Sequence, residues 1–407
     1  MNANTSILPR SRQPGYWSEL VQQFVLGRLG KLAHGTLTVR FGEGINHVLE
    51  GEEPGPAAEI DVHNPLALMR SVALRGDLGF AESYMRGDWS SRELASLLYL
   101  FSVNLDAYNS DQRRSLPVRV LTRMQHLLNR NSRSGSRRNI AAHYDLGNDF
   151  YARWLDGSMS YSSAVYDASF DLAKAQARKY ELMLSLIDPE PGEHILEIGC
   201  GWGGFAEYAA RWGMLVTAVT LSREQYDYAT RRIRDAGLQG QVDIKLADYR
   251  TLNGQYDHVV SIEMFEAVGQ AYWANYYEVL NRCLKPGGRA ALQVITIRND
   301  LFDTYRRESG GFIQRYIFPG GMLPTENHLR ELAWDAGLDP VSVDRYGEHY
   351  ADTLSDWAEA FNAQTPWMEA NGYDERFRRM WRYYLAFCEA GFRDGRIDLV
   401  QLALQKD

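Results

Sequence analysis

The chain has 407 residues, 45% of them hydrophobic and 24% charged, an ordinary globular composition with room for two or three domains. A net charge of −8 argues against a nucleic-acid footprint across the surface, so no nucleic-acid partner is expected. The three cysteines, Cys200, Cys283 and Cys388, form no CxxC pair, which argues against a disulfide framework or a metal site and fits a reducing cytoplasm. No apolar run is long enough to span a membrane, and MNANTSILPRSRQPGYW lacks the apolar core of a signal peptide.

Residues 1–110 mix strand and helix signals. GTLTVRF alternates apolar and polar residues, as a half-buried strand does, and AEIDVH is a second short strand. The stretch from Asn64 to Phe101 reads as helices broken at Gly76 and Gly87, with Ser90 or Ser91 as an N-cap. This predicts a small α+β accessory domain without a catalytic constellation. Residues 111–138 form a basic linker: eight arginines and no acid occur from Arg113 to Arg138. Val118, Leu121, Met124, Gln125 and Leu128 recur at helical spacing within it. In an acidic protein this island is the expected contact with an anionic membrane surface, each basic residue contributing about 1 kcal/mol near anionic lipid.

From residue 139 to 407 the pattern is strand–helix alternation. HILEIGC, LVTAVTLS, VDIKLAD, YDHVVSIEMF and RAALQVITI are strand candidates with helical stretches between them. This predicts an α/β domain, a mostly parallel sheet with helices on both faces. LEIGCGWGG runs from strand through a glycine loop into a helix, where Gly199, Gly201, Gly203 and Gly204 permit a sharp turn and close approach of a ligand. Dinucleotide sites use such loops too, but VTLSREQ ends the next strand without an acid for a ribose, and no lysine follows the glycines.

LEIGCGWGG, with LADYR at a later strand end and LKPGG before RAALQVITI, resembles the S-adenosylmethionine loop of class I methyltransferases. That implies a Rossmann-like sheet in which Pro286, Gly287 and Gly288 turn the chain into the strand carrying Gln293. It also implies that Asp248 and Tyr249 meet the adenine. RRNIAAHYDLGNDFYARWLDGSMSYSSAVY, MFEAVG, YIFPGGMLP and HYADTLSDW narrow the resemblance to the cyclopropane-fatty-acid synthase family, and GDLGFAESYMRGDW extends it to the two-domain bacterial type acting on phospholipid.

The resemblance implies a cytoplasmic enzyme, peripheral on the inner face of the cell membrane and forming a homodimer. It would transfer a methyl(ene) group from S-adenosylmethionine to the double bond of an unsaturated phospholipid acyl chain, giving a cyclopropane. Cofactor contacts are expected from Tyr161, Ser162, Gly199, Cys200, Gly201, Thr220, Leu221, Gln225, Asp248 and Tyr249. Aromatic faces at Tyr161, Phe265, Tyr272, Trp273, Tyr316 and Phe318 are candidates to stabilise a carbocation, and the segment Tyr316–Pro324 is expected to line an acyl tunnel.

The family also implies a bicarbonate ion as proton acceptor, held here by Glu266, Tyr350 and the Ile295 N–H. Two further positions depart from the pattern: Ser163 stands where the family has cysteine, and Gln293 where it has histidine. Gln293 can donate to an anion but does not titrate near neutral pH. The alternative is therefore methyl transfer without ring closure, leaving a methyl-branched or methylene chain. A small-molecule N-methyltransferase and a cofactor-binding protein without catalysis are the remaining readings.

Overall fold

The computed structural model describes residues 16–42, 46–106, 146–307 and 311–407. The chain divides into two compact units, Met1–Gln112 and Arg113–Asp407. The arginine-rich stretch from Arg113 to Arg138 lies outside the described residues.

In the first unit, strand β1 (His34–Phe41) alternates half-buried and buried positions as its sequence predicts. It lies between β2 (His47–Glu50), antiparallel, and β3 (Glu53–Val62), parallel; β4 (Trp89–Ser90) closes the order β2-β1-β3-β4. Leu37, Val39, Ile60, Val62 and Trp89 are buried. Around the sheet run α1 (Tyr16–Leu29), α2 (Pro65–Arg86) and α3 (Leu94–Val103). Asn64 caps α2 by accepting from the Ala67 N–H, a contact generally worth about 1 kcal/mol. Gly76, at φ 55° and ψ −133°, kinks α2, and Gly87 ends it in the left-handed region. The expectation that Ser90 or Ser91 caps the next helix is corrected: Ser90 pairs with Asp61 in the sheet, and α3 starts later, with Glu93 as its N-cap.

In the second unit, a seven-stranded sheet runs β10-β11-β9-β8-β5-β6-β7. Strands β5 (His194–Ile198), β6 (Leu215–Thr220), β7 (Val242–Leu246), β8 (Tyr256–Ile262) and β9 (Leu284–Ile297) are mutually parallel. Only β11 (Ile397–Gln405) runs against its neighbours, β9 and β10 (Asp339–Arg345). The near-continuous apolar strands follow from burial on both faces: Val216, Ala218, Val219, Val259, Val260, Ala290, Ala291, Leu292 and Val294 are all buried. Helix α4 (Leu172–Ile187) leads into β5, and the crossover helices include α5 (Gly204–Arg211), α6 (Arg223–Asp235) and α7 (Trp273–Cys283); α8 (Glu326–Asp335), α9 (Gly347–Ala363) and α10 (Glu375–Arg393) follow.

The LKPGG turn falls within β9 as a bulge. Tyr256 pairs with Leu284 but His258 pairs with Arg289, so extra residues are accommodated on one strand. A side chain at Gly288 would lie 2.5 Å from the Asp257 carbonyl oxygen, which explains the glycine there.

Candidate active site

In open α/β sheets, ligands bind beyond the carboxyl ends of the strands. The candidate residues gather there. The glycine loop leaves β5 with Gly199, Gly201 and Gly203 at φ 86°, 50° and 83°. The Gly199 and Cys200 N–H groups both donate to the Val219 carbonyl, 3.0 Å each, tying the loop to β6. At Gly201 an added Cβ would meet nothing within 4 Å, so the loop is open on that side, as a cradle for a ligand requires. At Gly199 it would lie 2.7 Å from Met264, so the glycine loop abuts the turn after β8.

At the end of β6, the Thr220 hydroxyl donates to Gln225 at 2.8 Å, and Ser222 caps α6. Leu221, between them, is half-buried. Cys200 is buried and its thiol pKa is pushed well up, chiefly by desolvation. The two residues expected at the adenine also have protein partners. Asp248 is buried in an ion pair with Arg250, which donates to both carboxylate oxygens, at 2.8 and 2.6 Å. The Tyr249 ring packs in the core edge-on to Tyr276, with ring centres 5.4 Å apart. These side chains therefore meet protein partners, and the Asp248–Arg250 pair braces the strand end.

The proton-accepting residues do converge, but around a residue the sequence reading passed over. Glu263 follows β8 at φ +50°, a left-handed conformation uncommon for a residue with a side chain. Its Oε1 accepts from the Ser163 N–H and from Gln293 Nε2, both at 2.8 Å, and its Oε2 accepts from the Tyr350 hydroxyl at 2.5 Å. Gln293 is fully buried in β9; its carbonyl oxygen accepts from Gln401 at 2.9 Å, and its Nε2 also lies 3.4 Å from the Ser163 carbonyl. The Ser163 hydroxyl donates to the Ala164 carbonyl. Glu266 is one 3-10 turn further on; its Oε1 accepts from the Ile295 N–H at 2.5 Å. Its Oε2 is buried and accepts no hydrogen bond among the described residues.

The electrostatics separate the two acids. Burial, and then the neighbouring Glu263 charge, push the Glu266 carboxyl up to about 8. Burial also raises Glu263, opposed by its three donors and by the Lys179 ammonium. Glu263 accepts three hydrogen bonds that favour its charged form and Glu266 one, so the two carboxyl groups are set apart by environment. Lys179 is likewise missing from the sequence reading. It is fully buried on α4, donates to the Ser162 hydroxyl oxygen at 2.7 Å and to Gln176 at 2.6 Å, and is lowered by burial to about 8. A lysine on the apolar stripe of Ala175, Tyr180, Met183 and Leu184 was the available signal.

The aromatic candidates divide. Phe265 and Trp273 stack on each other inside the core, so they serve packing. Tyr161 belongs to a cluster with Tyr151, Trp154 and Trp357, at 5.3 to 5.6 Å between ring centres, and its hydroxyl donates to Tyr384 at 2.9 Å. The Tyr316–Pro324 segment adjoins the acids: the Met322 N–H donates to the Glu266 carbonyl, and the Ile297 N–H donates to the Pro324 carbonyl.

Comparison with known proteins bears on the family of the chain. The family described as mycolic acid cyclopropane synthetase matches residues 131–402. Tuberculostearic acid methyltransferase UfaA1 of Mycobacterium tuberculosis is 40% identical over 86% of this chain and 84% of its own length. The cyclopropane-fatty-acyl-phospholipid synthase of Escherichia coli K12 is 37% identical over 86% of this chain and 88% of its own. Among solved structures, mycolic acid cyclopropane synthase CmaA1 complexed with SAH and CTAB is 30% identical, with a TM-score of 0.63, covering 66% of this chain and 98% of that one.

Proposed function

The chain belongs to the mycolic acid cyclopropane synthetase family of S-adenosylmethionine-dependent methyltransferases, and from that premise we propose that its acceptor is the double bond of an unsaturated phospholipid acyl chain. S-adenosylmethionine, when bound, supplies an electrophilic methyl group on a sulfonium. The open glycine loop at Gly199, Cys200 and Gly201, the Thr220–Leu221–Gln225 corner and Tyr161 and Ser162 would hold it. Asp248 and Tyr249 brace the adenine end. The observation carrying the proposal is the buried acid cluster of Glu263 and Glu266 beside that loop. A group that must accept a proton from a lipid cation belongs in such a dry, hydrogen-bonded setting.

Ring closure to a cyclopropane is the first reading, supported by the Escherichia coli relative matched over 88% of its length. Retained unsaturation is the second, favoured by a specific feature: the Glu263 carboxylate accepts three hydrogen bonds. Donors that stabilise a carboxylate weaken it as a base, which gives a hydride shift time to precede proton loss. The UfaA1 relative points the same way.

No helix among the described residues is long and apolar enough to cross a membrane. Access to phospholipid would come through the first unit and the Arg113–Arg138 stretch, with the protein peripheral on the cytoplasmic leaflet as a homodimer. The test is mass spectrometry of vesicle lipids after incubation with enzyme and S-adenosylmethionine. A gain of one CH2 with the double bond lost identifies the ring; the same gain with unsaturation kept identifies the second reading. No gain on any unsaturated phospholipid refutes the acceptor. Unchanged vesicle activity after deletion of residues 1–110 refutes the role of the first unit.

A further inference from the structure

The family resemblance calls for a bicarbonate held by Ser163, Glu266, Gln293, Ile295 and Tyr350. The residues present do not fit it. The Ser163 N–H, Gln293 Nε2 and the Tyr350 hydroxyl all donate to Glu263, and the Ile295 N–H donates to Glu266. The remaining Gln293 amide proton has the Ser163 carbonyl at 3.4 Å, and the Ser163 hydroxyl donates to the Ala164 carbonyl. The N–H and hydroxyl donors of Ser163, Gln293, Ile295 and Tyr350 thus already have protein acceptors, and within this set only Glu266 Oε2 has no partner among the described residues. An added anion would also meet the Glu263 charge at close range, in a fully buried setting where like charges repel strongly.

From this disagreement we infer that the Glu263 carboxylate takes the place of a bound bicarbonate and is itself the proton acceptor of the reaction. The inference rests on the acyl-chain methyl transfer proposed above. Its second support is the backbone. Glu263 holds a left-handed conformation that glycine adopts freely and glutamate does not. Its N–H is pinned to the Gln293 carbonyl at 2.8 Å. Outliers of this kind persist where the surroundings over-determine them, and they cluster at functional sites. The turn it occupies touches the glycine loop through Met264 and Gly199, and its carboxylate accepts from the N–H of Ser163, the neighbour of the expected cofactor contact Ser162.

The step balances without an external ion. After methyl transfer the acyl chain carries a carbocation. The transferred methyl loses a proton to Glu263 Oε2. The C–H bond breaks, and its electron pair becomes the last bond of the ring or, following a hydride shift, a carbon–carbon double bond. The cation is discharged and the carboxylate becomes a carboxylic acid, which returns its proton to solvent before the next turnover.

The test begins with binding, independent of any lipid. Carbon-13 bicarbonate is titrated into full-length wild type and into Glu263→Gly, with line broadening as the readout and cofactor affinity and circular dichroism as the check on folding. We expect no bicarbonate binding to wild type, and binding to Glu263→Gly, where the three donors are released. Wild-type turnover on monounsaturated vesicles should change by less than about twofold on bicarbonate depletion, whereas Glu263→Gln should lose about 100-fold or more, the usual scale of general-base catalysis. Bicarbonate binding to wild type overturns the inference, as does bicarbonate-dependent turnover or a fully active Glu263→Gln. A folded Glu263→Gly that binds no bicarbonate overturns it too. If no vesicle lipid is methylated at all, the acceptor proposal fails, and the titration still decides the fate of the ion site.

Discussion

Gln401 donates a hydrogen bond to the Gln293 side-chain carbonyl at 2.9 Å, joining residues paired in register on β11 and β9. The bond fixes which end of the Gln293 amide faces Glu263. Gln401→Leu would leave a buried acceptor unsatisfied. We expect a loss of about 1–3 kcal/mol in chemical denaturation, together with lower turnover as the amide loses its orientation. Stability and turnover both equal to wild type would refute this role of Gln401.

Tyr350→Phe removes the one hydrogen bond that Glu263 Oε2 accepts among the described residues. The ring remains stacked on Phe392, centres 4.4 Å apart, so packing is kept. Loss of a donor to the charged form raises a carboxyl pKa. The acid limb of the pH–rate profile should therefore move to higher pH, with cofactor affinity unchanged. A limb that stays in place would show that Glu263 does not govern it.

Glu266 and Glu197 are both raised by burial, from 4.5 to about 8. Between these values the folded chain binds more protons than the unfolded chain, so stability falls as pH rises through the window. Glu266→Gln removes one contributor. Its denaturation midpoint should decline less than that of wild type between about pH 5 and pH 8. Parallel declines in the two proteins would show that Glu266 is not protonated in the fold.

Arg250→Ala strips the guanidinium from Asp248, whose side chain is almost fully buried. Breaking a buried pair from one side typically costs about 3–5 kcal/mol. Denaturation should report a loss of that order, and cofactor affinity should weaken because Asp248 lies at the end of β7. Replacing both residues by apolar ones of similar size should recover much of the stability but not the affinity.

The alternation of GTLTVRF, the apolar runs of β5, β6, β8 and β9 and the glycine punctuation at Gly76, Gly87 and Gly199 were legible in the sequence because each is a local signal. Strand pairing is not local. Ser90 carries a good capping side chain, yet its pairing with Asp61 puts it in a strand. Asp248 and Tyr249 occupy a fitting strand end, but their side-chain partners, Arg250 and Tyr276, are settled by packing. Gln293 announced itself as a polar residue in an apolar run, and it is buried and bonded as that required. Glu263 stood three positions before Glu266, just ahead of the MFEAVG motif. Nothing in its spacing reveals that Ser163, Gln293 and Tyr350, far apart in sequence, all turn toward it.

The position of β11 bears on how the protein is made. This strand is the last of the described elements in chain order, yet it lies inside the sheet between β9 and β10. On a ribosome, where folding proceeds from the N-terminal side first, β5 to β9 can assemble early, but β9 keeps a bare edge until residues 397–405 emerge. Gln293 waits for Gln401 over the same interval. The nascent chain therefore exposes a long apolar strand edge of the kind that invites misassociation, and the acid cluster reaches its working arrangement only when synthesis has passed Gln401.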